Sequence, residues 1–228
     1  MIVYSFSEKG NRETNEDYII SVQFDNNDSL HIVADGMGGY LYGEVASRVA
    51  TDAIVQYLIE RQSDVDITST IQHAITFANE QIILKHKALR AKLGTTIAGV
   101  YIRESVAFAF WIGDVQIQHF RDNKLLFVSE SHSLIKEMKN NGVVSSKYIE
   151  RYKNIVTKSL SGYSLEESIT VKQLNLFPKD FLCICSDGFY NTIETSNLIY
   201  KPDEQIDKVL NTLENSNEDN YSIIKISI

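Results

Sequence analysis

Seven short runs rich in β-branched and aromatic residues constrain the fold of this chain more than any other feature. Tyr18 to Phe24, Leu30 to Ala34, Thr95 to Ile102, Val106 to Ile112, Val115 to Phe120, Phe181 to Ser186 and Ser222 to Ile228 read as strands. Several follow one another through a few residues only, which favours antiparallel pairing, because a parallel crossover needs a dozen residues or more. Three amphipathic stretches accompany them. Gly43 to Gln62 carries Val45, Ala46, Val49, Ala50, Ala53, Ile54, Tyr57 and Leu58 on one helical stripe. Thr68 to Leu89 repeats Ile71, Ile75, Ala78 and Ile82, and Asp203 to Asn215 repeats Ile206, Val209, Leu210 and Leu213. Each helix has one apolar face and is expected to cover a sheet. Strands in runs and helices apart from them make an α+β layered pattern. Leu134 to Leu160 is polar and fits neither period.

No Pro- or Ser-rich linker and no repeat interrupts the 228 residues, so one domain over 1–228 is expected. The formal charge of −8 speaks against nonspecific nucleic-acid binding and against docking on anionic membranes. Cys183 and Cys185 are the two cysteines, too few for a disulfide framework and wrongly spaced for a C-x-x-C motif. On a strand both thiols pack on one face. The first ten residues lack a basic-then-apolar leader, and no apolar run reaches the length of a membrane span. A soluble, cytoplasmic protein is the expectation.

One arrangement recurs. An apolar run leads into an Asp beside a Gly at Asp35-Gly36, Gly113-Asp114 and Asp187-Gly188. Asp219-Asn220 precedes the last run, and Asn15-Glu16-Asp17 precedes the first. Each alone is ordinary turn chemistry. Together they place five acidic sites at strand ends, where they could meet at one end of the sheets. Converging carboxylates repel and take up protons unless a cation offsets them. Oxygen-only donors select hard ions such as Mg²⁺, Mn²⁺ or Ca²⁺ rather than zinc. His31, His73, His86 and His119 show no paired metal spacing and read as structural. Trp111 reads as core, and no P-loop, dinucleotide fingerprint or G-x-S-x-G elbow is present.

Arg12-x-x-Asn15-Glu16-Asp17, Asp35-Gly-Met-Gly-Gly39, Gly94-Thr-Thr96, Gly113-Asp114, Ser186-Asp187-Gly188 and Asp219-Asn220 resemble, in order, the motifs of the metal-dependent protein phosphatases of type 2C. The Asp-Gly-Met-Gly-Gly run is similar to the bacterial branch. The resemblance implies a four-layer α-β-β-α sandwich of two antiparallel sheets flanked by helices. It implies hydrolysis of phosphoserine and phosphothreonine in proteins by a hydroxide bridging two Mn²⁺ or Mg²⁺ ions, without a phosphoenzyme. By motif position Asp35 would bridge both ions, Glu16 and the Gly36 carbonyl would hold one, and Asp187 and Asp219 the other. Asp17 would hold water on the ions, Asp114 with Asp187 would form a third, weaker metal site, and Arg12 would grip the substrate phosphate. The implied partners are a phosphorylated protein and a serine/threonine kinase that shares its targets, with a monomer expected.

Some positions depart from that pattern. The usual Gly-Asp-Ser-Arg is Gly113-Asp114-Val115-Gln116, the usual Asp-His-Ser is Ser131-His132-Ser133, and Met37 stands where eukaryotic members carry histidine. His132 reads either as support for the site or as a surface or capping residue. Ser129 to Leu160 falls where the family carries its mobile flap, and its lysines suit either acidic substrates or plain solvation. The departures at Val115 and Gln116 leave a second reading, a pseudophosphatase that binds phosphoproteins without turnover. A third is a regulatory phosphatase acting on an anti-sigma antagonist. Retention of every expected carboxylate favours the enzyme.

Overall fold

The computed structural model describes residues 1–37, 42–142, 151–152, 155–163, 169–213 and 216–228. Its strands are β1 (Ile2–Glu8), β2 (Asp17–Gln23), β3 (Ser29–Gly36), β4 (Thr95–Arg103), β5 (Val106–Ile112), β6 (Gln116–Arg121), β7 (Lys124–Val128), β8 (Val171–Asn175), β9 (Phe181–Cys185) and β10 (Tyr221–Ser227). The helices are α1 (Gly43–Ile59), α2 (Ile67–Leu89), α3 (Leu134–Asn140), α4 (Asp187–Tyr190) and α5 (Asp203–Asn211). One sheet runs β1-β10-β9-β6-β7 and the other β2-β3-β4-β5-β8, with each of these pairings antiparallel.

Alternation along the strands builds the layers. In β3, Leu30, Ile32 and Ala34 join Ala50, Ile54, Ile71 and Ile75 of α1 and α2 in one apolar cluster. Val33, from the opposite face, joins Ala98, Trp111, Ile117, Ile184 and Ile224 between the sheets. On β9, Leu182 and Ile184 point into that middle layer, while Cys183 and Cys185 pack beneath Ile206 and Leu210 of α5. Three apolar layers therefore separate four structural ones: α1 and α2, a sheet, a sheet, and α5. The α-β-β-α sandwich is borne out, as are the two thiols sharing a face. Among the described residues no helix is long and apolar enough to cross a membrane.

Three strands carry no signal in the sequence reading: β1, β7 and β8. All are sheet edges. The polar stretch after residue 133 contributes the short α3, and α5 ends at Asn211, with residues 214–215 outside the described set. Gly38 and Gly39, and Lys147 and Lys153 of the supposed flap, also lie outside it.

The strand histidines have local partners. His119 Nε2 meets Asp180 at 2.9 Å, and Asp180 also takes Nε and Nη2 of Arg121 at 2.7 Å each. His31 is buried between Ser21 Oγ at 3.0 Å and Ser29 Oγ at 3.1 Å. Burial lowers its pKa from 6.5 to about 4. The unfolded chain therefore takes up this proton first as pH falls. The His31 contribution is complete above the unfolded pKa and is lost between pH 6.5 and about 4. Its size is on the order of 3 kcal/mol. Urea unfolding at about pH 7 and about pH 4.5 should show wild type losing more stability than His31→Asn. Equal losses would contradict a neutral, buried His31.

Candidate active site

Strand register delivers the acidic residues to one end of the sandwich. Asp17 opens β2 directly opposite Asp35, near the end of β3, and Gly36 pairs with Thr95 at the start of β4. β5 ends at Ile112, so Gly113 and Asp114 leave the sheet at the same end. In the other sheet β9 runs out into Ser186 and Asp187, and Asp219 and Asn220 lead into β10. A cavity of about 200 Å³ is lined by Arg12, Glu16, Asp35, Gly36, Asp114, Asp187 and Asp219, with Met37 and Val156 as apolar wall. A wider cleft of about 620 Å³ shares Arg12, Asp114, Asp187 and Asp219 with it. Every site residue expected from the sequence lines the first cavity except Asp17, which is buried.

Local chemistry fixes these groups. The Ser186 hydroxyl donates to Asp17 Oδ2 at 2.8 Å and accepts from the Ser222 amide at 2.9 Å, so it joins the two sheets. Asn220 Oδ1 accepts from the Glu16 amide at 2.9 Å, and its Nδ2 donates to the carbonyls of Lys9 at 2.8 Å and Thr14 at 3.0 Å. The Glu16 carbonyl accepts from the Gly36 amide at 3.1 Å and from Ser47 Oγ of α1 at 2.7 Å. At Gly43, the first residue of α1, a Cβ would come within 2.6 Å of the Glu16 carboxylate carbon, so glycine allows that approach. Sequence reasoning assigned no role to Ser186, Asn220 or Ser47. The first two stood inside motifs; nothing near Ser47 pointed to it.

The electrostatics are those of crowded acids. Burial raises Asp17 to about 7, with Asp187 and Asp219 adding to the shift. Burial and then the Asp187 charge raise Asp114 to about 7. Asp35 is pushed up by burial and by Asp17, Asp187 and Asp114 around it. Asp187 rises through burial and Asp219, while a hydrogen bond from Asp35 opposes the rise. Glu16 rises through burial, with Glu44 and Asp219 adding to it. Among the described residues one cation lies in the cavity lining, Arg12, whose Nη2 and Nε meet Asp219 Oδ2 and Oδ1 at 3.0 Å each.

Two observations bear on metal binding. Among the described residues, nothing donates a hydrogen bond to the buried Asp17 Oδ1. Among the described residues no three His, Cys, Asp or Glu side chains close tightly enough to hold an ion alone. Ions of the Mg²⁺ type keep several waters and take one or two carboxylates each, and this spread, all-oxygen donor set fits them.

Comparison with known proteins agrees with the fold. The family profile described as "Protein phosphatase 2C" matches residues 7–222. A putative protein phosphatase 2C-type of Streptococcus pyogenes is 30% identical over 196 residues, spanning 82% of this chain and 78% of the relative. The crystal structure of the serine/threonine phosphatase Stp1 from Staphylococcus aureus superposes with a TM-score of 0.86 at 22% identity, covering 99% of this chain and 94% of that one. A structure of the catalytic domain of the serine/threonine protein phosphatase PstP, in complex with two manganese ions, reaches 0.82 at 20% identity, covering 98% of this chain and 96% of that one. The chain belongs to the protein phosphatase 2C family and is an enzyme of that class.

The crowding makes a prediction that needs no substrate. Asp35→Asn keeps a donor toward Asp187 and removes the cost of holding a buried carboxyl protonated among the other acids near neutral pH. In chelator near neutral pH its thermal midpoint should stand about 2–4 °C above wild type. A lower midpoint would mean that repulsion at Asp35 is already relieved.

Proposed function

We propose that the protein is a metal-dependent phosphatase that removes phosphate from phosphoserine and phosphothreonine in proteins. The carrying observation is the convergence of Asp35, Asp114 and Asp187 in an oxygen-lined cavity that Arg12 also lines, with Asp17 buried beside it opposite Asp35 and all four carboxyls raised in pKa. Asp35 is proposed to serve two Mn²⁺ or Mg²⁺ ions, Glu16 and the Gly36 carbonyl one of them, and Asp187 and Asp219 the other. When bound, such ions supply a hydroxide nucleophile near neutral pH and Lewis acidity toward the phosphoryl oxygens. Asp17 holds and orients water beneath the cavity through its free Oδ1. Asp114 with Asp187 is the proposed place of a third, weaker ion.

Arg12 binds the phosphate. Its planar fork matches two phosphoryl oxygens, as it matches the two oxygens of Asp219. Phosphate and Asp219 therefore compete for one guanidinium, and Arg12 would turn to substrate where Asp219 helps to hold an ion instead. Met37 offers no proton to the leaving alkoxide, so that proton is supplied by water or by another recruited group. The whole chain, 1–228, is proposed to act as one phosphatase domain, as a cytoplasmic monomer that reverses the work of a serine/threonine kinase. A binding module without turnover is disfavoured, since the sequence retains every carboxylate the phosphatase reading needs.

Phosphate release from a phosphothreonine peptide should depend on Mn²⁺ or Mg²⁺ and vanish in EDTA. Asp35→Asn and Asp187→Asn should each lose at least about a thousandfold in kcat. Saturating Mn²⁺ should raise the thermal midpoint of wild type and raise that of Asp35→Asn less, because binding to the native state stabilises it. Near-wild-type turnover in either variant would remove these residues from the site. Arg12→Ala should raise KM for the phosphopeptide about tenfold or more, with the Mn²⁺-induced midpoint shift retained. An unchanged KM would place the phosphate elsewhere.

A further inference from the structure

His132 belongs to no part of the chemistry described above, yet its ring reaches the turn that carries Asp114. The Gly113 amide donates to His132 Nδ1 at 3.1 Å, and the His132 amide donates back to the Gly113 carbonyl at 2.8 Å. Both polar groups of the Gly113 peptide unit are thus met by one residue. Gly113 itself has little freedom. Its φ is +106°, and a Cβ there would collide with the Thr96 side chain of β4. The same approach path is pinned upstream: Trp111 Nε1 donates to the Glu130 carbonyl at 2.9 Å, and Ser129 exchanges hydrogen bonds with the Ile117 backbone at 2.8 and 2.9 Å.

His132 also looks the other way. Its carbonyl accepts from the Thr157 amide at 2.9 Å, Ser133 bridges Val156, and the Leu134 amide donates to the Ile155 carbonyl at 2.9 Å. Leu160 closes the return by exchanging backbone hydrogen bonds with Thr95 at 2.9 and 3.0 Å. Val156, held by this pairing, is a wall of the cavity over Asp35. One residue therefore touches both the turn bearing Asp114 and the segment bearing Val156.

We infer that His132 is a positioning residue that sets the Gly113–Asp114 turn and the Val156 wall in register with each other. The acceptor must be Nδ1, so the neutral ring carries its proton on Nε2. An amide oxygen at the δ position can replace that acceptor, while one at the ε position lies a bond too far. The inference rests on the proposed phosphatase reading for its kinetic arm only.

The test compares His132→Asn, His132→Gln and His132→Leu by amide exchange, followed by NMR without metal or substrate. Gly113 and Thr157 amides should exchange about tenfold faster in the Gln and Leu variants and near the wild-type rate in Asn. In the kinetic arm, the Mn²⁺ concentration for half-maximal turnover should rise in Gln and Leu and return toward wild type in Asn. The Asn and Gln variants are both polar and close in size, so their contrast survives should the Leu variant fold poorly. Equal exchange at Gly113 in Asn and Gln overturns the inference. Inactivity of wild type in every metal, with the exchange contrast intact, would overturn the phosphatase reading and leave the role of His132 standing.

Discussion

The hydroxyl of Ser186 holds the two sheets together where they are hardest to hold. It donates to Asp17 on one sheet and accepts from Ser222 on the other, beneath a cluster of acids that repel one another. Like charges at a sheet end favour splaying. The Asp17–Ser186–Ser222 chain and the Asn220–Glu16 bond oppose that, with the apolar layer of Val33, Ala98, Ile184 and Ile224 behind them. The cavity keeps its shape because polar stitching and apolar packing act on the same pair of strand ends.

The departures from the family motifs fall outside this stitching. Val115 is buried in the inter-sheet layer, where an apolar side chain adds contact. Gln116 opens β6, and its side chain accepts from Gln118 Nε2 at 2.9 Å. Neither replaces an acidic group of the cavity. A family member can therefore change at these positions and keep the carboxylates that define its chemistry.

Much of this was legible in the sequence, and what was not shares a cause. Central strands such as β3, β4 and β9 are apolar on one or both faces, so their periodicity shows. The three unread strands are edges. In β7 Leu125, Leu126 and Val128 are exposed, and in β8 a single position is buried. β2, also an edge, was read because Ile20 and Val22 on one face pack against the helical layer, a burial that the unread edges largely lack. The acidic residues were legible for a different reason: Asp beside Gly at the end of an apolar run is locally visible. Their meeting at one end of the sheets was expected from the strand ends and the family resemblance, while its geometry rests on the register of Asp17 against Asp35 and on two sheets facing each other. His132 was left between two roles, since only the folded path of residues 129–134 brings its ring to Gly113.

The order of strands has a consequence for the birth of the enzyme. β10, the last strand in the sequence, sits inside its sheet between β1 and β9, and the residues just before it close the cavity against Arg12 and Glu16 from the first turn of the chain. On the ribosome, a nascent chain can fold α1, α2 and most of one sheet early, while the pocket stays unmade until the final strand emerges. A truncated product lacks the wall that Asp219 and Asn220 provide. The cavity is in this way completed only after the segment bearing Asp219 and Asn220 has been made.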